Sequence, residues 1–182
     1  MLSFALTLAL ALFATPCSPA DTTAPERPSD FTLRYQWDAG SLPPPYGYQV
    51  RVNVDADGSG MAQIQMNGQN APVWTERFRA TAEQMDETYR AFCESGVYVT
   101  EWQEPDAVPV GGSAWRLVTT ANSDRVVIPP YAISSPARSL DQVVDVVEEI
   151  VPRSMWQRLE AKRDAYQASQ GSGGPSPVST VW

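Results

Sequence analysis

From Phe31 to Trp37 apolar and polar side chains alternate: Phe31, Leu33, Tyr35 and Trp37 on one side, Thr32, Arg34 and Gln36 on the other. A period of two puts the two sets on opposite faces of a pleated backbone and predicts a half-buried β-strand. The same pattern recurs in Tyr48, Val50, Val52 and Val54 against Gln49, Arg51 and Asn53, and in Ala62, Ile64 and Met66 against Gln63 and Gln65. The turn-forming stretch Asp55-Ala56-Asp57-Gly58-Ser59-Gly60 between them makes the pair an antiparallel hairpin. Residues 73–79 read as a fourth strand, and 97–102, 115–121 and 125–128 as three more, the last two joined by a short turn at Asn122-Ser123-Asp124.

The period then lengthens. Thr81 with Gln84 three residues on is the pattern of a capping box, and the helix it opens should stop at Gly96, which suits a left-handed C-terminal position. Ser139 and Gln142 repeat the pattern ahead of Leu140, Val143, Val144, Val147, Ile150 and Val151, an apolar stripe of helical period despite its β-branched content. Pro152 interrupts it, and a third helix follows from Arg153 toward Ala168, anchored by Met155, Trp156 and Leu159. Strands, a helix, strands and then helices imply an α+β domain: a curved antiparallel sheet of about six or seven strands with two to three helices on one face.

Ahead of this domain, Leu2 to Ala14 form an apolar run long enough for the core of an export signal and too short to span a bilayer. The expected division is a signal over 1–20, a Pro- and Thr-rich linker over 21–30, the folded domain over 31–169 and a disordered tail over 170–182. Two readings of the processing site stand. Ser18-Pro19-Ala20 has small residues where ordinary cleavage after Ala20 needs them. Cys17 resembles the lipid-acceptor cysteine of bacterial lipoproteins, although Pro16 occupies a position where a small residue is expected. Either reading removes or alkylates Cys17, so Cys93 is expected as a buried structural thiol on a helix face with Met85, Tyr89 and Phe92, outside any disulfide framework.

Composition narrows the chemistry. The 182 residues suffice for one domain with its own core. A net charge of −8, with basic residues interspersed among acids, argues against a nucleic-acid partner. The chain has no histidine, which excludes Ser-His-Asp and Cys-His catalysis and any His-containing metal or haem site. No cofactor and no metal are implied.

Three motifs invite chemistry. Asp55 to Gly60 begins like a calcium loop, but Met66 stands where the bidentate glutamate would be, and the flanks read as strands. Pro43, Pro44, Pro45 and Tyr46 form a rigid loop beside Tyr48, a candidate binding edge; its match to a proline-rich ligand of WW domains does not suit an exported chain. Glu76 and Glu101, both beside aromatic residues, are the acid pair through which a histidine-free hydrolase would act. Gly111-Gly112-Ser113 begins a strand and so lacks the setting of a phosphate loop.

The succession SLPPPYGYQV, DADGSG, APVWTERFRA and VPVGGSAWRL, spread over roughly residues 31 to 165, resembles a group of small exported bacterial proteins of unknown function. That resemblance implies a shared domain and supplies no activity. The function expected is therefore a non-enzymatic binding or accessory role in the cell envelope or outside the cell. Its partner would be an envelope or extracellular protein, with the membrane met only through a lipid on Cys17. A carboxylate-dependent hydrolase and a protein inhibitor acting through the Pro43–Tyr46 loop are the alternatives.

Overall fold

The computed structural model describes Cys17 and residues 25–107, 111–134 and 139–170. The apolar run over 2–14, residues 18–24 and the tail from 171 lie outside the described residues. The elements are β1 (Thr32–Asp38), β2 (Tyr48–Val54), β3 (Ser59–Met66), β4 (Val73–Arg79), α1 (Ala82–Glu94), β5 (Ala114–Ala121), β6 (Asp124–Ile128), α2 (Asp141–Glu149) and α3 (Arg153–Gln170). The strands form one open antiparallel sheet in the order β4-β3-β2-β1-β5-β6, so the fold is α+β as the patterning predicts. Among the described residues no helix is long and apolar enough to cross a membrane.

Register carries the alternation across the sheet. Leu33 faces Val54 on one side and Thr119 on the other, and Tyr35 faces Val52 and Leu117. The core lies between these inward side chains and the helices, where Met85, Tyr89, Phe92, Val143, Val147, Ile150 and Leu159 are all buried. Phe31 sets its ring edge-on to Tyr89 and Phe92 at 5.3 and 5.9 Å. Each such pair is worth about 0.5–1.5 kcal/mol beyond its buried area. Thr119, polar and fully buried, is satisfied by donating to the Thr32 carbonyl at 2.8 Å and meeting the Tyr98 hydroxyl at 2.9 Å.

Local chemistry sets the connections. At the β2–β3 turn Gly58 has φ +83°, and a Cβ there would meet the Ala80 carbonyl oxygen at 2.7 Å. Asn122 and Ser123 both take positive φ, which two-residue hairpin turns require, and their amides donate to the Asp30 carboxylate at 2.8 and 2.6 Å. The capping box at Thr81 and Gln84 is made in both directions. Gly96, with φ +73°, closes α1: its amide donates to Cys93 O and the Val97 amide to Phe92 O, both at 2.9 Å.

Three expectations need correction. Residues 97–102 form turns, not a strand, because Val97 is drawn into the core by the helix stop, Tyr98 turns to Thr119, and the Trp102 indole donates back to Val97 O at 3.0 Å. Ser139 makes no capping box: its hydroxyl receives the Asp141 amide at 3.3 Å, and Leu140 is the N-cap of α2, with no side-chain hydrogen bond. Cys93 is not a thiol. It is joined to Cys17 by a disulfide spanning 76 residues, and the Tyr89 hydroxyl lies 3.8 Å from the Cys17 sulfur. The expectation failed because Cys17, treated as removed or alkylated, is bonded to α1, which Arg27 also grips through Asp86 at 2.7 Å.

A bridge closing so long a loop restricts the unfolded chain strongly. In protein that retains Cys17, Cys93→Ser is expected to lower stability by about 2–4 kcal/mol, read from the denaturant midpoint under oxidising conditions. An unchanged midpoint would show that the bridge adds nothing to the stability of the domain.

Candidate functional site

Between the middle of the sheet and the corner joining α2 to α3 lies a cleft of about 740 Å3. Its floor consists of inward positions of β1 and β2: Tyr35, Trp37, Tyr48 and Val50, with Trp37 directly opposite Val50. Its wall is the helical corner. Pro152 lacks an amide hydrogen and separates the two helices; its carbonyl receives the Met155 amide at 2.8 Å and so starts α3. The Trp156 indole donates to the Glu148 carbonyl at 3.0 Å, which folds the ring back across the end of α2 and into the cleft wall.

Aromatic side chains and charges alternate around this space. The Trp37 and Tyr48 rings lie 5.3 Å apart, and the Arg163 guanidinium stands 5.0 Å above the Tyr48 ring while donating to its hydroxyl at 3.1 Å. Asp145, Glu148, Glu149 and Glu160 line the opposite side with Arg153. Burial raises the Glu148 carboxyl above the usual carboxylate range, and the charges of Asp145 and Glu160 raise it further. At the floor, Tyr35 is only 3% exposed and its hydroxyl has no hydrogen-bond partner among the described residues. Burial, with the Glu148 charge behind it, pushes that hydroxyl well above its ordinary pKa. A polar group left in this state costs about 1–3 kcal/mol.

Of the loop residues singled out from sequence, only Tyr48 belongs to this site. Pro43 and Pro44 are exposed, Pro45 and Tyr46 half-buried, in a turn closed by the Tyr46 amide on Pro43 O at 2.8 Å; Leu42 beside them is 48% exposed. The loop joins the strand ends that carry Trp37 and Tyr48. Glu76 and Glu101 do not converge. Glu76 lies under α3, where Arg158 binds both its oxygens at 3.3 and 3.0 Å and Lys162 approaches to 3.5 Å. Those hydrogen bonds hold its pKa below the usual range, the reverse of what a general acid needs. Glu101 is exposed beside Gln103.

The aspartates of the β2–β3 turn serve the turn itself. Asp57 receives the Ser59 amide and hydroxyl, each at 2.9 Å, and Asp55 meets Arg34 at 3.4 Å. Met66, at the place of the missing calcium ligand, is buried in the core. Among the described residues no group of three His, Cys, Asp or Glu side chains is placed to hold a metal ion.

Sequence reasoning passed over Tyr35, Trp37, Trp156, Glu148, Glu160 and Arg163, because each fits its element as a core or solvated-face residue. The available signal was an excess of large aromatic side chains at inward positions of one end of β1 and β2. The folded state keeps a proton on Glu148 at pH values where the unfolded chain has lost it, so stability falls as pH rises from the ordinary carboxylate pKa through the raised one. Glu148→Gln is therefore expected to raise Tm at pH 7, with the gain shrinking as pH falls and vanishing once the carboxyl is protonated in both states. A variant whose Tm difference does not change with pH would contradict this assignment.

Compared with protein-family models and with curated proteins, the chain matches none, so the cleft is read from its own residues.

Proposed function

We propose that this chain is an exported binding protein of the cell envelope whose cleft takes a small organic cation, an amine or guanidinium compound with an apolar body. The aromatic floor of the cleft facing four carboxylates on its wall is the observation that carries this reading. The cleft volume lies within the range of about 300–1,000 Å3 that small-molecule sites occupy. Trp37, Tyr48 and Trp156 offer π faces for a cation and cover for an apolar body, while four carboxylates outnumber the two arginines. The ligand brings hydrogen-bond donors to the four carboxylates of the wall.

Titration with benzylamine and with agmatine, followed by tryptophan fluorescence and calorimetry, tests the reading. Binding is expected in the micromolar to millimolar range, weakening at least tenfold in Glu148→Gln and in Trp37→Ala. It should also fade with acidification at a higher pH than an ordinary carboxylate would set, because Glu148 must be ionised to attract the cation and its pKa is raised. Saturation by neither compound, or equal affinity for the uncharged benzyl alcohol, would sink the proposal.

One observation favours a second reading, a carboxylate-dependent hydrolase. Glu148 is a carboxyl of raised pKa in a cleft beside other carboxylates, the setting of a general acid. Turnover of chromogenic glycosides that Glu148→Gln abolishes would select it over simple binding.

Export through residues 2–20 is the proposed route, with the domain similar to the small exported bacterial proteins named above. The Cys17–Cys93 disulfide is compatible with an oxidising compartment. A sulfur in a disulfide cannot also carry a thioether lipid, so bridge and anchor are alternative fates of Cys17. Mass spectrometry of the mature protein separates the cases. The expected result is a retained Cys17 that is either bridged or acylated; a mature N-terminus at Asp21 with a free Cys93 thiol would exclude both.

A further inference from the structure

The sheet has a second face, and no described element packs on it. Its outward positions follow from the register. Across β4-β3-β2-β1-β5 one row reads Thr75, Gln63, Arg51, Gln36, Arg116, and the next reads Arg77, Met61, Asn53, Arg34, Val118, continuing to Val127 on β6. Arg79 and Arg125 occupy the two outer corners of the row beyond. Six of the chain's thirteen basic residues thus stand on this face: Arg34, Arg51, Arg77, Arg79, Arg116 and Arg125. Among the described strands, Asp38 is the one acidic residue at an outward position. A chain of net charge −8 therefore carries a positive plane on one side.

The guanidinium groups are largely unneutralised. Arg34 and Arg79 reach the turn carboxylates Asp55 and Asp57 at 3.4 and 3.8 Å, both pairs well exposed and so weak. Arg77, Arg116 and Arg125 are exposed, and no carboxylate among the described residues pairs with them. Arg51, near the middle of the sheet, is held among the described residues by amide oxygens: Gln49 at 2.9 Å, Gln65 at 3.0 Å and Gln63 at 3.3 Å. Three side chains orient this cation and none cancels it. Arg51, Arg34 and Arg116 occupy diagonal register positions, so neighbours in this series are about 7–8 Å apart at their bases. They mark a track running across the strands.

We infer that this face binds a linear acidic polysaccharide, whose carboxylate or sulfate groups meet the arginine track while its hydroxyls meet the Gln, Asn and Thr side chains between. Charge complementarity selects a polyanion, and the planar fork of arginine suits oxyanions in particular. No outward strand position holds an aromatic residue, so there is no platform for stacking bases, which disfavours single-stranded nucleic acid. The amides and hydroxyls between the arginines match a hydroxyl-rich polymer better than the apolar interior of a bilayer. The inference rests on the sheet's outer face and uses nothing from the cleft.

Retention of the intact protein on immobilised heparin and on polygalacturonate, as a function of salt, is the test. Wild-type protein is expected to bind both and to lose at least tenfold in affinity between 50 and about 200 mM salt. A triple variant, Arg77→Gln with Arg116→Gln and Arg125→Gln, is expected to lose at least tenfold at low salt. Arg90→Gln with Arg158→Gln and Lys162→Gln, on the helices and of equal charge change, should keep binding within twofold. Circular dichroism verifies that both variants fold. The inference is overturned by absent retention, by equal losses in the two variants, or by tighter binding to double-stranded DNA or phosphatidylglycerol vesicles than to either polysaccharide. Salt-sensitive self-association that the sheet variant alone abolishes would overturn it too, by giving the face to the acidic helices α1 and α2 of a second copy.

Discussion

The central strand β1 is hydrogen-bonded along both edges, and its register with β2 and β5 is the constraint on which everything else hangs. A slip of one residue would turn Leu33, Tyr35 and Trp37 outward and Arg34 and Gln36 inward, at once emptying the core and burying charge. With the register held, Leu33 is buried in the core while Tyr35 and Trp37, further along the same strand, come to floor the cleft. One strand thus divides its inward face between packing and binding. The change comes where the helices no longer cover the sheet closely.

How much of this was legible follows from how local each feature is. Thr81, Gln84 and Gly96 act within a few residues of themselves, and their helix begins and ends as read. The alternating strands are equally local, since the pleat needs only its own sequence. Val97 to Trp102 misled because its apolar residues answer to the helix stop before it and to Thr119 on another strand. Ser139 lost its helix to Leu140 by a single residue. The cleft was illegible for a deeper reason: it exists only where the Pro152 corner meets the sheet, a docking that no single segment specifies. Tyr48 was found through the proline loop beside it, and Glu148 was passed over because a carboxylate every few residues is what any solvated helix shows.

Charge illustrates the same limit. Along the chain, acids and bases are mixed, and mixing argues for a surface with no preference. The pleat undoes the mixing by sending alternate residues to opposite sides, so that Arg34 and Arg116 share a face while Glu76 turns beneath α3. Net charge speaks to the whole molecule; a binding surface sees only the nearest Debye length, about 10 Å at moderate salt. The acidic helices α1 and α2 and the basic sheet face consequently present two different electrostatic environments to the surroundings.

The sheet is open, and its order leaves β4 and β6 with one unpartnered edge each among the described strands. Such edges are templates on which other chains extend a sheet, the usual origin of aggregation in open β-structures. Here β6 is only five residues long and begins Asp124-Arg125, while β4 carries Glu76, Arg77 and Arg79 in its second half. Any strand approaching either edge must desolvate charge before it gains a hydrogen bond. The arginines that give the sheet its outward character therefore also help keep neighbouring copies of the chain apart where they are crowded.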